Sequence, residues 1–302
     1  MKKTIFMILL TAFVLIFLSG YGYCKQKTIY VSNTEELLKA IGSDREIVVE
    51  EHLTLTAQNQ SKPLNFGNKH IHWEEELDGY ALYIRDVKNL TIKGSQKVKY
   101  ATEILTAPRY VFVMTFENSH DITIEELSLG HTPVGKCSGG VLLFKDCSNI
   151  KIQQSKLFGC GTDGLILENV KNFKAVLSEI YNCNQLIMRL NNSSDILFEK
   201  CSFYENASEF ELGGFRILGC NNVTFNRPYI LRNSGKYLFY EKDSSNIKVI
   251  DATFENNKFI ALDPKTFVIV YKDCKFGKGN TFETDGFRIN KNGYYDGFTI
   301  SE

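Results

Sequence analysis

The sequence predicts an all-β chain wound as a single-stranded right-handed parallel β-helix, a solenoid, with a short capping helix near its N-terminus. Three observations carry this. One signature recurs seven times: Asn89-Leu90-Thr91-Ile92, Asp121-Ile122-Thr123-Ile124, Asn149-Ile150-Lys151-Ile152, Asn172-Phe173-Lys174-Ala175, Asp195-Ile196-Leu197-Phe198, Asn222-Val223-Thr224-Phe225 and Asn246-Ile247-Lys248-Val249. Each copy opens on Asn or Asp and then alternates apolar with other residues, the period of a half-buried strand. The intervals between first residues, 32, 28, 23, 23, 27 and 24, reduce to a base period near 23 with three insertions. Finally, two more short β-prone segments fit inside the periods, at 111–116, 141–144, 165–167, 186–190, 215–218 and 237–240, and at 127–129, 156–158, 179–181 and 202–204. Three strands per coil, with no helical periodicity between them, bury their inward side chains only by stacking coil on coil. The inward positions favour Ile, Val and Phe over the spine of a leucine-rich repeat, and the intervals are not the multiples of six of a left-handed hexapeptide helix.

In chain order, residues 1–22 read as a signal peptide. Lys2 and Lys3 precede an apolar stretch over 5–18, and Ser19, Gly20 and Gly22 offer a small-x-small cleavage site. That stretch is shorter than the roughly 20 residues a bilayer span needs. Tyr23 stands where a lipoprotein signal has a small residue before its cysteine, which speaks against lipid attachment at Cys24. The expected product is a secreted or periplasmic bacterial protein, monomeric and without a membrane span.

Residues 23–79 form an N-terminal cap and first strands. Ser32 and Glu35 are spaced as a capping box, and Leu37, Leu38 and Ile41 share one helical stripe. A helix there would cover the open edge of the first coil. Residues 80–276 hold the repeats. Residues 277–302, with Phe282, Phe287, Tyr294, Tyr295 and Phe298, form the C-terminal cap.

Counting eleven places on from the corner residues aligns Thr132, Cys160, Cys183, Asn206, Asn233 and Asn257. The asparagines predict a ladder of side-chain amides. Cys160 and Cys183 fall on adjacent coils at a strand spacing of about 4.8 Å, close enough for a disulfide; two stacked free thiols fill such a corner equally well. Cys201 and Cys274 share an inward site with Ser155, Ser178 and Ala252. Cys147 and Cys220 share a turn position three coils apart, and Cys137 lies in an insertion. None of the eight cysteines forms a CxxC pair, which argues against a zinc ribbon. The 35 basic residues equal the 35 acidic ones, so the chain lacks the basic excess of a nucleic-acid binder.

Chemistry in a solenoid sits on insertions, because the coil body is scaffold. The intervals place insertions at 97–108, 131–139 and 206–213, all expected after the same corner. The first two would bring Lys97, Lys99, Arg109, His131 and Lys136 together, with Asp163 one coil further on. Arg109, His131, Lys136 and Asp163 are the candidate catalytic residues. The cations suit the carboxylates of a polyuronide, and His or Asp can move a proton. His70, His72 and Glu74 share a strand face that would suit zinc, and a polar edge strand accounts for them as well. No cofactor follows from the sequence.

The repeat grammar, for example Asp195-Ile196-Leu197-Phe198-Glu199-Lys200-Cys201-Ser202-Phe203-Tyr204-Glu205-Asn206, resembles the pectin-lyase-like superfamily of right-handed β-helices over about residues 80–276. That resemblance is specific for fold and unspecific for activity. Polygalacturonase-like members carry Asn-Thr-Asp, Gly-Asp-Asp, Gly-His-Gly and Arg-Ile-Lys motifs. Gly161-Thr162-Asp163-Gly164 is partly similar to the first, and Gly130-His131-Thr132 matches two positions of the third but precedes Asp163, which reverses the family's order of motifs. The chain has no Asp-Asp pair, which removes the template for inverting hydrolysis. The resemblance also implies a calcium-assisted lyase as an option, but the dense acidic run, Glu74-Glu75-Glu76 with Asp78, precedes the established repeats. The expected function is therefore binding of a polysaccharide or cell-surface glycan. A polyuronide lyase or glycoside hydrolase is the alternative.

Overall fold

The structure, a computed structural model, describes residues 26–95, 101–132, 138–159, 161–207, 214–263 and 268–282. The signal segment, Cys24, Lys97, Lys99, Lys136, Cys137, Cys160 and the C-terminal cap beyond 282 lie outside the described residues. The chain is a right-handed parallel β-solenoid. Three sheets run along it, with ten strands (sheet A), nine strands (sheet B) and eight strands (sheet C).

The seven signatures are seven consecutive rungs of sheet A. Ile92, Ile124, Ile152, Ala175, Phe198, Phe225 and Val249 stand in one unbroken register, all buried. The opening Asn or Asp of every signature is left-handed, with φ between 52 and 60°. Asn and Asp tolerate that conformation because their short polar side chains bond locally. Here they bond from rung to rung: Asn149 Nδ2 donates to Asp121 Oδ1 at 2.8 Å, Asn172 Nδ2 to Asn149 Oδ1 at 2.8 Å, and Asn222 Nδ2 to Asp195 Oδ1 at 2.9 Å.

The inner asparagine ladder runs as expected and extends one rung beyond its predicted end, through Asn206, Asn233, Asn257 and Asn280. Asn206 Oδ1 accepts the Cys183 N–H at 3.0 Å; from Asn233 on, each Oδ1 accepts both the backbone N–H and the side-chain amide of the rung before it, at 3.1 and 2.9 Å for Asn233. Each Nδ2 also donates to a backbone carbonyl, Phe203 O in the case of Asn233. Only a primary amide offers both valences in this place. At the other end the row departs from expectation. Thr132 faces solvent, and its neighbour His131 is the buried residue.

The stack begins upstream of the repeats the sequence reveals. Strands Lys27–Val31 and Arg45–Val49 are already parallel rungs of sheet A, ahead of Lys88–Gly94. Among the described residues the exception to parallel pairing is the hairpin of Ile71–Glu76 with Gly79–Arg85, which closes the N-terminal edge of sheet C. Helix α1 (Thr34–Ala40) buries Leu37 and Leu38, and Ile41 follows at its C-terminal cap. Its N-cap is Asn33, not Ser32: Asn33 Oδ1 accepts the Glu36 N–H at 2.9 Å, while Glu36 reaches back to the Ser32 N–H at 2.8 Å. The capping pair is shifted by one residue because Asn33 is the last residue in extended conformation. Near the C-terminus the expected strand over 237–240 divides at the buried Leu238. Ser234–Tyr237 joins Lys258–Ala261 and Thr281–Phe282 in a small fourth sheet, and Phe239–Lys242 continues sheet C.

The cysteines behave as corner fillers. Cys147 and Cys220 donate to the carbonyls two residues back at 3.2 and 3.3 Å, as the hydroxyls of Ser119 and Ser193 do at the equivalent corners at 2.8 Å. Cys201 and Cys274 repeat this beside Ser155 and Ser178. Cys183 is also a buried free thiol. Burial pushes Cys147 and Cys274 up to about 11 and Cys201 up to about 12, and the thiolate is the reactive form. Iodoacetamide at about pH 8 is expected to leave Cys147, Cys183, Cys201, Cys220 and Cys274 unmodified in the folded protein and to label all five after unfolding. Peptide mapping that finds them alkylated in the folded state would contradict this packing.

Candidate functional site

Three passages from sheet B to sheet C are lengthened. Segments 107–113, 132–141 and 205–214 all make this passage. The insertion predicted at 97–108 is divided by a strand, Thr102–Thr106, which pairs with Leu127–His131 in sheet B. Arg109 follows that strand at the B-to-C corner, while Lys97 and Lys99 precede it and lie outside the described residues. The expectation of one continuous insertion over 97–108 is corrected accordingly.

The corner is held by backbone. Asp78 accepts the N–H groups of Arg109 at 2.6 Å and Tyr110 at 3.2 Å. The Arg109 carbonyl accepts from Ser138 and Gly139 at 2.8 and 2.7 Å, and the Gly139 carbonyl accepts from Gly161 and Thr162, each at 3.1 Å. A Cβ on Gly139 would stand 2.0 Å from the Val111 carbonyl oxygen, so only glycine lets these successive turns approach so closely.

The four predicted residues take up different places in this frame. Arg109 is exposed at the rim. Lys136 lies outside the described residues. His131 is 1% exposed, and its Nε2 donates to the Gly140 carbonyl at 3.0 Å. Burial outweighs the neighbouring carbonyls and Asp78 and lowers its pKa, favouring the neutral ring. Among the described residues its Nδ1 has no partner.

Asp163 is also 1% exposed. Its Oδ2 accepts from Arg189 Nη2 at 2.9 Å, and its Oδ1 has no partner among the described residues. Burial pushes this carboxyl up to about 6, against the opposing pull of Arg189 and Arg216.

Arg189 and Arg216 complete the site and were not among the sequence candidates. They stand on adjacent rungs of sheet C, in register on its outer face, in the row Tyr83, Thr115, Leu143, Ile166, Arg189, Arg216 and Tyr240. Neighbouring rungs lie about 4.8 Å apart, so two like charges stack against each other with one carboxylate between them and the corner. The Nε atoms of both arginines are buried without a partner among the described residues. The signal was present in the sequence: each arginine interrupts an apolar run six places before a corner residue, Asp195 and Asn222.

Further along sheet C, Arg85 pairs with both Glu74 and Glu117, and the His70 Nδ1 lies 2.8 Å from the Arg85 carbonyl. Glu74 is thus engaged by a cation. Among the described residues no three His, Cys, Asp or Glu side chains gather closely enough to hold a metal ion, and no helix is long and apolar enough to cross a membrane.

The fold is shared with solved structures. The pectin methylesterase from Aspergillus niger superposes with a TM-score of 0.52 at 11% identity, covering 85% of this chain and 87% of that one. The polygalacturonase from Erwinia carotovora superposes with a TM-score of 0.50 at 12% identity, covering 87% of each. Such low identity carries the fold and no activity. No curated protein sequence matches the chain. The family described as the right handed beta helix region matches residues 112–295; with more than half of its length matched and its strands stacked in three parallel sheets, the chain belongs to that family.

Proposed function

We propose that the chain is an exported bacterial β-helix protein that binds an acidic polysaccharide or cell-surface glycan where the B-to-C corner meets the outer face of sheet C. The observation that carries this reading is the stacked pair Arg189 and Arg216, whose charge exceeds what Asp163 neutralises and whose donors are only partly used. Guanidinium groups match carboxylates and sulfates with paired hydrogen bonds. Arg109 adds an exposed cation at the rim, and Lys136 belongs in sequence to the next insertion, 131–139. His131 secures the corner through Gly140.

The second reading is a carbohydrate-active enzyme, a polyuronide lyase or glycoside hydrolase. One observation favours it: Asp163 is a buried carboxyl with an unpartnered oxygen and a raised pKa, as acid–base groups often are. A polyuronide panel separates the two. The binding reading expects retention of polygalacturonate, weakened by salt, with neither ultraviolet-absorbing unsaturated product nor new reducing ends. Arg216→Gln is expected to weaken that binding about tenfold. Turnover would establish the enzyme reading, and Asp163→Asn or His131→Ala should then abolish it with an unchanged circular dichroism spectrum. Neither binding nor turnover across the panel would refute both.

A further inference from the structure

We infer that Arg216 and Arg189 form a subsite for a single oxyanion of the glycan, a uronate carboxylate or a sulfate ester, and that Asp163 is its built-in counter-ion, so that the subsite strengthens as Asp163 takes up a proton. This inference rests on the binding reading above and specifies the group recognised and the condition for recognising it.

The geometry argues for it in three steps. Two guanidinium groups on adjacent rungs repel each other, and one carboxylate answers them from the rung before. That carboxylate bonds to Arg189 alone, at 2.9 Å; among the described residues no hydrogen bond joins it to Arg216. The cluster therefore carries one positive charge in excess. Next, the hydrogen-bonding capacity is unspent. The Nε groups of both arginines and Asp163 Oδ1 are buried without partners among the described residues, a state that folded proteins rarely leave without a ligand or water to answer it. The Arg189 side chain is still 31% exposed, so the cluster is within reach of solvent. Finally, Asp163 and an incoming anion compete for the same two cations. When Asp163 is ionised the cluster presents one net positive charge, and when it is protonated it presents two.

Among the described residues the charged groups that bear on Asp163 are Arg189 and Arg216, and burial outweighs both to place its titration at about 6. An anion seated beside the carboxylate raises that value further. By linkage the anion must then bind more tightly as the pH falls through this region. The sign follows from the charge: proton uptake removes a repulsion and frees Arg189.

Inorganic sulfate and trigalacturonate are suitable probes, because both keep their charge over the range in which Asp163 titrates. Equilibrium titrations of the whole protein at constant ionic strength are expected to show both affinities rising threefold or more from about pH 7.5 to about pH 5. Asp163→Asn should bind at the high level at both pH values, and Arg216→Gln should bind weakly at both. The wild-type profile needs no variant to fold, so it decides the matter alone. A flat or falling wild-type affinity, with Arg216→Gln still weakened, would overturn the counter-ion role and leave the binding reading standing. Failure of both probes to bind at any pH would overturn both.

Discussion

Replacing Asn233 with alanine is expected to destabilise the protein by about 3–5 kcal/mol, as several buried groups lose their partners together at roughly 1–3 kcal/mol each. The Asn206 backbone N–H, the Asn206 side-chain amide, the Phe203 carbonyl and the Asn257 Oδ1 all bond to this one amide. Asn233 is buried between two rungs, so bulk water does not reach these groups. Asn233→Asp should cost at least as much at neutral pH, because it presents an anion to the Phe203 carbonyl and to Asn257 Oδ1. Chemical denaturation monitored by circular dichroism measures both. A midpoint within error of the wild type for either variant would show that the ladder does not hold the rungs.

The second large effect is expected in the core. Phe225 is fully buried; its ring stacks on Phe198 at 4.9 Å and meets Phe215 and Phe239 edge-on at 5.0 and 5.5 Å. Truncation to alanine removes an aromatic shared by three rungs and should cost about 3–5 kcal/mol, whereas Phe225→Leu, which keeps most of the volume, should cost below about 1.5 kcal/mol. Equal losses for the two would mean that the ring is not packed as described. Each rung is stabilised mainly by its two neighbours, so both substitutions should weaken the centre of the array and leave α1 and the first rungs comparatively protected in hydrogen exchange.

The solenoid was legible because its strongest local requirement, a left-handed residue at the head of each sheet A strand, selects Asn or Asp and leaves a mark every coil. The two earliest rungs escaped notice for reasons visible in their residues. Asp44 is left-handed and accepts from Asn89 Nδ2 at 2.9 Å, so it belongs to the same row. It is followed, however, by Arg45 where the later copies place an apolar residue, and by a hairpin that stretches the interval beyond recognition. Strand Thr102–Thr106 was absorbed into an insertion for want of more than two apolar side chains.

The site was legible in part. Asp163 emerged from its turn motif, but its partners could not. Arg189 and Arg216 are separated by 26 intervening residues in sequence and become neighbours only through the register of sheet C. His131 looked like a groove residue because it sits at the edge of an insertion. The alternation of strand Leu127–His131 instead turns it inward with Leu127 and Leu129, all three being buried.

The central functional claim is that the stacked arginines of sheet C meet the ligand. Phenylglyoxal modification with and without polygalacturonate, read out by peptide mass spectrometry, tests it most directly. Arg227, whose side chain is 56% exposed in the turn between Asn221–Asn226 of sheet A and Tyr229–Leu231 of sheet B, serves as the internal reference. Polygalacturonate is expected to suppress modification of Arg216 and Arg189 and to leave Arg227 unchanged. Protection of Arg227 with Arg189 and Arg216 still reactive, or no protection at any arginine under conditions where the polymer is bound, would contradict the claim.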